Sequence, residues 1–250
     1  MRYLITGPAA DWKSKKLEGD SWKLNEFAAD TATIGFPNVD YVIAAGSTAL
    51  YAVGGYSKKT KVNLNTVFKS EDGFNWKKLP WTLAKARGTS SSFYSCITQN
   101  EESGNENLVV MGGLGSGDKS IEVHDLATET LVIDIQDAGF TTGGSKIQLV
   151  CHGSWMYVAD HNNDLRMLKL KNEAVKDDIT KISYATLAKE GQLVVYDNKI
   201  GLVGGKTDTG FDNYDFVYYD HVAKAMKTGA EFPAAEVASP TNPLVPLVTK

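Results

Sequence analysis

A phrase that recurs about every fifty residues constrains the fold of this chain more than any other feature. It consists of a short apolar run, a tight turn and a second apolar run that ends on small residues, and it stands at 41–55 and again at 192–205. A weaker copy lies at 148–160, and 108–113 carries the second half of another. Self-similarity at such a period is the signature of a repeat architecture, so the sequence predicts several similar units.

The spacing of the units follows from the positions at which the second apolar run ends. Successive steps of 48, 58, 47 and 45 residues separate Thr6, Gly54, Gly112, Ala159 and Gly204. The long step contains the polar stretch 98–107, which is typical of an insertion at a hairpin tip. The pattern predicts five units, and a chain of 250 residues with 42% apolar content suits a single domain with an ample core.

Two further strand-like runs follow the small residues in each unit. In the second unit these runs are 66–70 and 75–80, joined through Asp72 and Gly73, and Asp-Gly between such runs is a hairpin signal. The third unit offers 120–125 and 129–134 in the same way. Each unit is therefore predicted to be four antiparallel strands, which is the blade of a β-propeller.

Several elements of these units resemble the kelch repeat. They are a third strand that carries Tyr219 and Asp220, a fourth strand that opens on Trp76, and second strands that end in the pairs Gly54-Gly55, Gly112-Gly113 and Gly204-Gly205. The resemblance to kelch-like and galactose-oxidase-like propellers implies an all-β fold of about five four-stranded antiparallel blades. We assign the six glycines a structural role, because glycine permits positive φ and close backbone approach.

The same resemblance implies how the ring would close. Kelch propellers join strands from the two ends of the chain, and the first unit here lacks a first strand. We expect 242–249 to pair with the N-terminal blade and so remove two exposed edges. The single domain, 1–250, would then divide into blades at 1–36 plus 240–250, 39–86, 89–140, 145–185 and 190–237.

Charge and hydropathy exclude some classes of partner. The net charge is −4 and the lysines are scattered, whereas nucleic-acid binding needs a basic stripe. The sequence contains no run of eighteen apolar residues and does not begin with a charged-then-apolar leader. We therefore predict no nucleic-acid partner, no membrane insertion and a soluble chain, in the cytoplasm or in an assembly rather than secreted.

The two cysteines, Cys96 and Cys151, fall on the predicted first strands of adjacent blades. A disulfide requires their Cα atoms to lie within about 7 Å, and inner strands that face each other across a channel are expected to be farther apart. We therefore favour buried free thiols over a disulfide. Neither cysteine has the spacing of a metal or redox motif.

Residues with catalytic or metal-binding chemistry do not form a recognisable motif. The histidines lack zinc-site spacing, no nucleophile elbow is present, and the copper ligands of galactose oxidase have no counterpart here. The phrase 70–76 is close to the Asp-box of sialidase-like propellers, which is a turn motif and no evidence of glycosidase activity. We predict no catalytic residues, no metal site and no cofactor.

Arg87 is the strongest candidate for a binding residue, because it precedes the first strand of the third blade. In kelch propellers that bind acidic peptides, arginines at this position line the channel mouth, and the planar guanidinium can grip a carboxylate. The alternative is that Arg87 pairs locally with a carboxylate or a loop carbonyl. Further partner-binding candidates, chosen as aromatic residues on predicted loops, are Tyr56, Trp81, Phe211 and Tyr214.

Three functional classes remain open, because a fold does not determine a function. We predict a non-enzymatic scaffold that binds another protein on the loop face of the propeller, including as a subunit of a larger assembly such as a viral particle. One alternative is a carbohydrate-binding propeller, in which a glycan is the ligand. The other is a sugar-modifying enzyme of the sialic-acid epimerase type, which would need convergent acid and base groups in the channel.

Overall fold

The fold is known from a computed structural model, which describes most of the chain from residue 39 to 231 and short pieces before it. Side chains are described from residue 39 onward, except at 169, 180–181 and 230–231. The described residues are 3–6, 13–18, 21–25, 39–73, 75–88, 93–115, 118–139, 147–160, 164–169, 180–184, 191–196, 198–207, 209, 215–220 and 222–231.

Five antiparallel sheets follow one another along the chain. The first contains β1 (Tyr3–Thr6), β2 (Lys13–Glu18) and β3 (Ser21–Asn25), and the second contains β4 (Val39–Ala45), β5 (Leu50–Ser57), β6 (Val62–Ser70) and β7 (Lys77–Arg87). The third contains β8 (Tyr94–Gln99), β9 (Glu106–Met111), β10 (Ile121–Asp125) and β11 (Thr130–Ile135). The fourth contains β12 (Gln148–His152), β13 (Trp155–Ala159), β14 (Asp164–Lys169) and β15 (Thr180–Ser183), and the fifth contains β16 (Gln192–Tyr196), β17 (Lys199–Val203), β18 (Asp215–Asp220) and β19 (Ala225–Glu231).

The prediction of an all-β chain built from four-stranded antiparallel units is confirmed for four of the five sheets. In each of them the strands pair with their neighbours in chain order, as a meander. The first sheet has three described strands, with β1 at its edge, and the predicted fourth strand at 242–249 lies outside the described residues. No described residue is helical, so the described part of the chain contains no helix that could cross a membrane.

The first strands of the second to fifth sheets lie beside one another. β8 contacts both β4 and β12, and β12 contacts β16. Because the side chains of a strand alternate between its two faces, each sheet can pack on a neighbour on either side. The apolar layer between the second and third sheets contains Val53, Val67, Leu83, Leu108 and Val110.

Similar apolar layers join the later sheets. Val109, Met111 and Ile121 of the third sheet pack with Met156 and Val158 of the fourth. A further layer joins the fourth and fifth sheets through Tyr157, Leu165, Leu193, Leu202 and Val217. Burying each such side chain stabilises the fold by ~1.5–3 kcal/mol, so the contacts between sheets are the main source of stability.

The glycine pairs after β5, β9 and β17 have the backbone geometry that a structural role requires. All six glycines have positive φ, between 56° and 97°. At Gly113, where φ is 92°, an added Cβ would lie 2.8 Å from the Phe93 ring and 2.9 Å from Cβ of Arg87. A side chain at Gly113 would therefore be strained by its backbone and would also clash with Arg87, which ends the second sheet, and with Phe93, which precedes the third.

The prediction of free thiols is wrong, because Cys96 and Cys151 form a disulfide. Their Cα atoms are 5.6 Å apart, within the range that a disulfide spans. The prediction failed because it placed the first strands of adjacent blades across a channel from each other. β8 and β12 instead lie side by side, so the disulfide links the third sheet to the fourth.

Candidate functional site

Arg87 is the centre of a buried polar network between the second and third sheets. It is the last residue of β7 and its side chain is 0% exposed. Nε donates a hydrogen bond to Oε1 of Glu122 at 2.5 Å. Nη1 donates to the carbonyl oxygen of Gly112 at 2.5 Å, to Oγ of Ser120 at 2.7 Å and to Oδ2 of Asp118 at 3.4 Å.

This geometry is the local pairing that the sequence left open as the alternative for Arg87. The guanidinium binds a carboxylate and a loop carbonyl of its own chain and does not reach the surface. It thereby ties the end of β7 to the glycine turn that follows β9. A direct contact between Arg87 and a partner stays a prediction, and it would require the surrounding loops to open.

Glu122 is the acidic partner of Arg87, and it is also fully buried. In addition to Arg87, its carboxylate accepts hydrogen bonds from the backbone N–H of Ala84 at 2.8 Å and from the His124 ring at 3.1 Å. Burial alone would raise the pKa of Glu122, but the His124 hydrogen bond, the charge of Arg87 and the Ala84 N–H together lower it below its usual value. Glu122 is therefore a carboxylate at neutral pH.

Trp81 belongs to this buried layer rather than to a loop. It lies within β7, and its indole stacks on the His124 ring with centroids 4.8 Å apart and an interplanar angle of 22°. His124 is 2% exposed and Trp81 is half-buried. The structure therefore places Trp81 within a strand and against His124, not on the loop where the sequence analysis placed it.

Sequence reasoning missed Ser120, Glu122 and His124, although the pattern contains a usable signal. The three residues alternate with Ile121 and Val123. Glu122 and His124 project from the same face of β10, and Ser120 directly precedes this strand. A polar stripe on a strand whose five residues are all buried requires polar partners from a neighbouring sheet. Arg87 ends the preceding sheet and is the charged partner that pairs with Glu122 and Ser120.

The surface beside this network is formed by the facing ends of β5 and β6 in the second sheet and by the loop after β9 in the third. The N–H of Gly88 donates to the carbonyl oxygen of Gly113 at 2.9 Å, and Nδ2 of Asn63 donates to the same oxygen at 3.5 Å. Two apolar residues adjoin these contacts in the chain: Val62, which precedes Asn63, is 50% exposed, and Leu114, which follows Gly113, is 39% exposed. We call Tyr56, Val62, Asn63 and Leu114 the loop-face patch.

Three predicted binding residues remain: Tyr56, which belongs to this patch, and Phe211 and Tyr214. Tyr56 is half-buried at the end of β5 and pairs with Asn63 across the sheet. A Cβ at Gly88 would lie 2.6 Å from the backbone nitrogen of Tyr56, so Gly88, the residue after Arg87, lies close against the backbone of Tyr56. Phe211 and Tyr214 lie outside the described residues.

The Asp-box-like phrase forms a turn, as the sequence predicted. Oγ of Ser70 accepts a hydrogen bond from the N–H of Gly73 at 2.9 Å, and Oδ1 of Asp72 accepts one from the N–H of Asn75 at 2.8 Å. Trp76 then packs with Tyr41 and Phe68 in an apolar cluster of the second sheet, with 5% of its surface exposed. The turn lines an open polar groove of about 440 Å³ whose other wall includes Glu129.

The described side chains offer little for catalysis. They contain no cluster of three or more His, Cys, Asp or Glu residues that could hold a metal ion. Glu122 and His124, the acid and the imidazole of the buried network, are 0% and 2% exposed, so a substrate cannot reach them in this arrangement. Their geometry serves the contact between two sheets.

Comparison with known proteins assigns no family to this chain. No family model matches it, and no curated protein is significantly similar to it in sequence. The kelch resemblance carried by Gly54-Gly55, Tyr219-Asp220 and Trp76 therefore stays a prediction. Any functional assignment depends on the geometry described above.

Proposed function

We propose that this chain is a non-enzymatic scaffold whose five sheets are the blades of a kelch-like propeller, and that it binds another protein at the loop-face patch. The observation that carries the proposal is the exposure of two apolar side chains, Val62 and Leu114, whose chain neighbours Asn63 and Gly113 are hydrogen-bonded to each other. Rings of sheets that present loops on one face are a common platform for binding.

Support for the propeller comes from the contacts between sheets. The first strands β4, β8, β12 and β16 lie next to one another in chain order, as blades do around an axis. Among the described residues, the first sheet has three strands where each of the others has four, and β1 is at its edge. In the proposed ring, the segment 242–249 pairs with β1 as the fourth strand of that blade and so removes the edge.

Support for binding comes from the hydrogen bonds that hold the loop of the patch. The loop after β9 is held through Gly112 and Gly113, which bond to Arg87 and Gly88 of the preceding sheet. Because this loop is already ordered, a partner that covers Val62 and Leu114 buries apolar area without a large loss of conformational entropy. An apolar centre beside polar groups such as Asn63 is the usual anatomy of a protein interface.

The test is partner recovery with a double variant, Val62→Asp with Leu114→Asp. Burial of two carboxylates at the centre of an interface is expected to reduce recovery of a bound protein from its source extract at least tenfold, since each lost anchor is worth more than ~1 kcal/mol. Val222→Asp is the matched control, because Val222 is 96% exposed in the turn before β19. If the double variant and the control recover the partner equally, the loop-face patch is not the binding site.

The aromatic surface of the fifth sheet favours carbohydrate binding as the second candidate function. Tyr196 is 52% exposed and its ring meets Phe216 edge-on at 5.6 Å, while Phe216 stacks on Tyr218 at 5.8 Å. Nζ of Lys199 lies 4.8 Å from the centre of the Tyr218 ring. An exposed tyrosine beside a cation could stack on a sugar, and glycan binding that the double loop variant leaves intact would favour this candidate.

A further inference from the structure

The hairpin that joins β5 to β6 concentrates positive charge at its tip. Lys58, Lys59 and Lys61 are all exposed, and we call residues 58–61 the lysine tip. Nζ of Lys58 lies 3.0 Å from Oδ1 of Asp40, which neutralises one of the three charges. Neither Lys59 nor Lys61 forms an ion pair with a described residue, so two ammonium groups face solvent without a counter-charge.

The backbone of the lysine tip is an ordered turn. The N–H of Lys61 donates to the carbonyl oxygen of Ser57 at 2.7 Å, and the N–H of Thr60 donates to Oγ of Ser57 at 3.2 Å. Ser57 is buried, so both hydrogen bonds are anchored on the sheet. A ligand of the lysines therefore does not have to order the turn that carries them.

The charge of the lysine tip is opposite to that of the whole chain. The chain has a net charge of −4 at neutral pH, whereas the three lysines and Asp40 together leave a local charge of +2. An acidic partner is therefore attracted at this hairpin although the protein as a whole repels it. Such an arrangement steers the approach of an acidic partner toward the lysine tip.

We propose that the protein bound at the loop-face patch contacts it through an acidic segment, whose carboxylates pair with Lys59 and Lys61 while an apolar side chain covers Val62. This proposal rests on the proposed function, because Val62 belongs to the patch and directly follows Lys61 in the chain. Charged groups around an apolar contact are the usual anatomy of a protein interface. Two unpaired lysines favour carboxylates over nucleic acid, which needs a longer basic stripe.

The first test is binding of a labelled, end-capped peptide, Glu-Glu-Leu-Glu-Glu, measured by fluorescence anisotropy. Lys59→Gln with Lys61→Asn removes both charges, and asparagine tolerates the left-handed φ of 57° at position 61. At low salt this variant should bind the peptide about fivefold more weakly than the wild type. The difference should vanish at ~1 M salt, where the Debye length is about 3 Å. A wild type that does not bind, or a variant that binds equally well, would overturn the proposal.

Two controls show whether the contact is specific in place and in chemistry. Lys77→Gln with Lys78→Gln changes the net charge equally at exposed positions where β7 begins, at the other end of the sheet, and should bind the peptide as the wild type does. A DNA strand of about five nucleotides, which matches the charge of the peptide, should bind more weakly than the peptide. Equal or tighter binding of the DNA would overturn the proposal.

Partner recovery separates a failure of this proposal from a failure of the proposed function. Recovery that is lost in Val62→Asp with Leu114→Asp but unchanged in the double lysine variant would mean that the patch binds a protein without the acidic contact, and this proposal alone would be wrong. If neither double variant changes recovery, both proposals are wrong. A partner lost from both variants, together with weaker peptide binding, is the result that we expect.

Discussion

Arg87→Ala is expected to lower the free energy of unfolding by about 3–5 kcal/mol at neutral pH. The substitution leaves the Glu122 carboxylate buried with its main counter-charge removed, and it also takes a donor from the Gly112 carbonyl. Urea unfolding monitored by tryptophan fluorescence measures the loss. Lys78→Ala, at an exposed position of the same strand, is the matched control and should change stability by less than ~0.5 kcal/mol.

The pH dependence of this loss distinguishes a charge pair from simple packing. The folded-state pKa of Glu122 is lowered, so the pair contributes stability above the unfolded pKa of about 4.5, and this contribution disappears as the pH falls through the lower folded value. Below pH 4.5, the wild type therefore loses the stabilisation that the Arg87–Glu122 charge pair contributes. The variant lacks this pair at every pH. The difference between wild type and Arg87→Ala should shrink from pH 7 toward pH 3, whereas a difference independent of pH would mean that Arg87 acts only by filling space.

Removing the disulfide is the second large effect that we expect. Replacing Cys96 and Cys151 together with serine should lower the free energy of unfolding by about 4 kcal/mol, because the link closes a loop of 55 residues in the unfolded chain. Equilibrium unfolding of the double variant and of the wild type, each with and without reductant, measures the difference.

The reductant supplies the internal control for this prediction. It should lower the stability of the wild type to that of the double variant and leave the double variant unchanged. Thiol titration of the unfolded, unreduced wild type should detect no free cysteine. Two titratable thiols, or a wild type that is insensitive to reductant, would contradict the disulfide between the third and fourth sheets.

The strands and their grouping into sheets could be predicted from the sequence because their signals are local. The alternation of apolar residues, the Asp72-Gly73 turn and the glycine pairs each depend on a few neighbouring residues. Even the degraded repeat at 148–160 forms the hairpin β12–β13, since Gly153 supplies the positive φ that its tight turn needs. The all-β class follows from these signals alone.

Contacts between sheets could not be predicted in the same way. Whether Cys96 meets Cys151 depends on how closely β8 and β12 approach, and no pattern within either strand encodes that distance. The partner of Arg87 is Glu122, 35 residues later on the third strand of the next sheet, and strand order alone does not give the registration between two sheet faces. Trp81 was misplaced for the same reason, because its ring is covered by His124 from that neighbouring face.

The closure of the ring by the segment 242–249 is tested most directly by hydrogen exchange at β1. We would compare the full chain with a chain that lacks 242–250, and follow the amides of Tyr3–Thr6 alongside those of Leu108–Val110 in the third sheet. If the segment pairs with β1, its removal should speed exchange at β1 at least tenfold and leave the buried strand β9 protected. Unchanged exchange at β1 would contradict a propeller closed in this way.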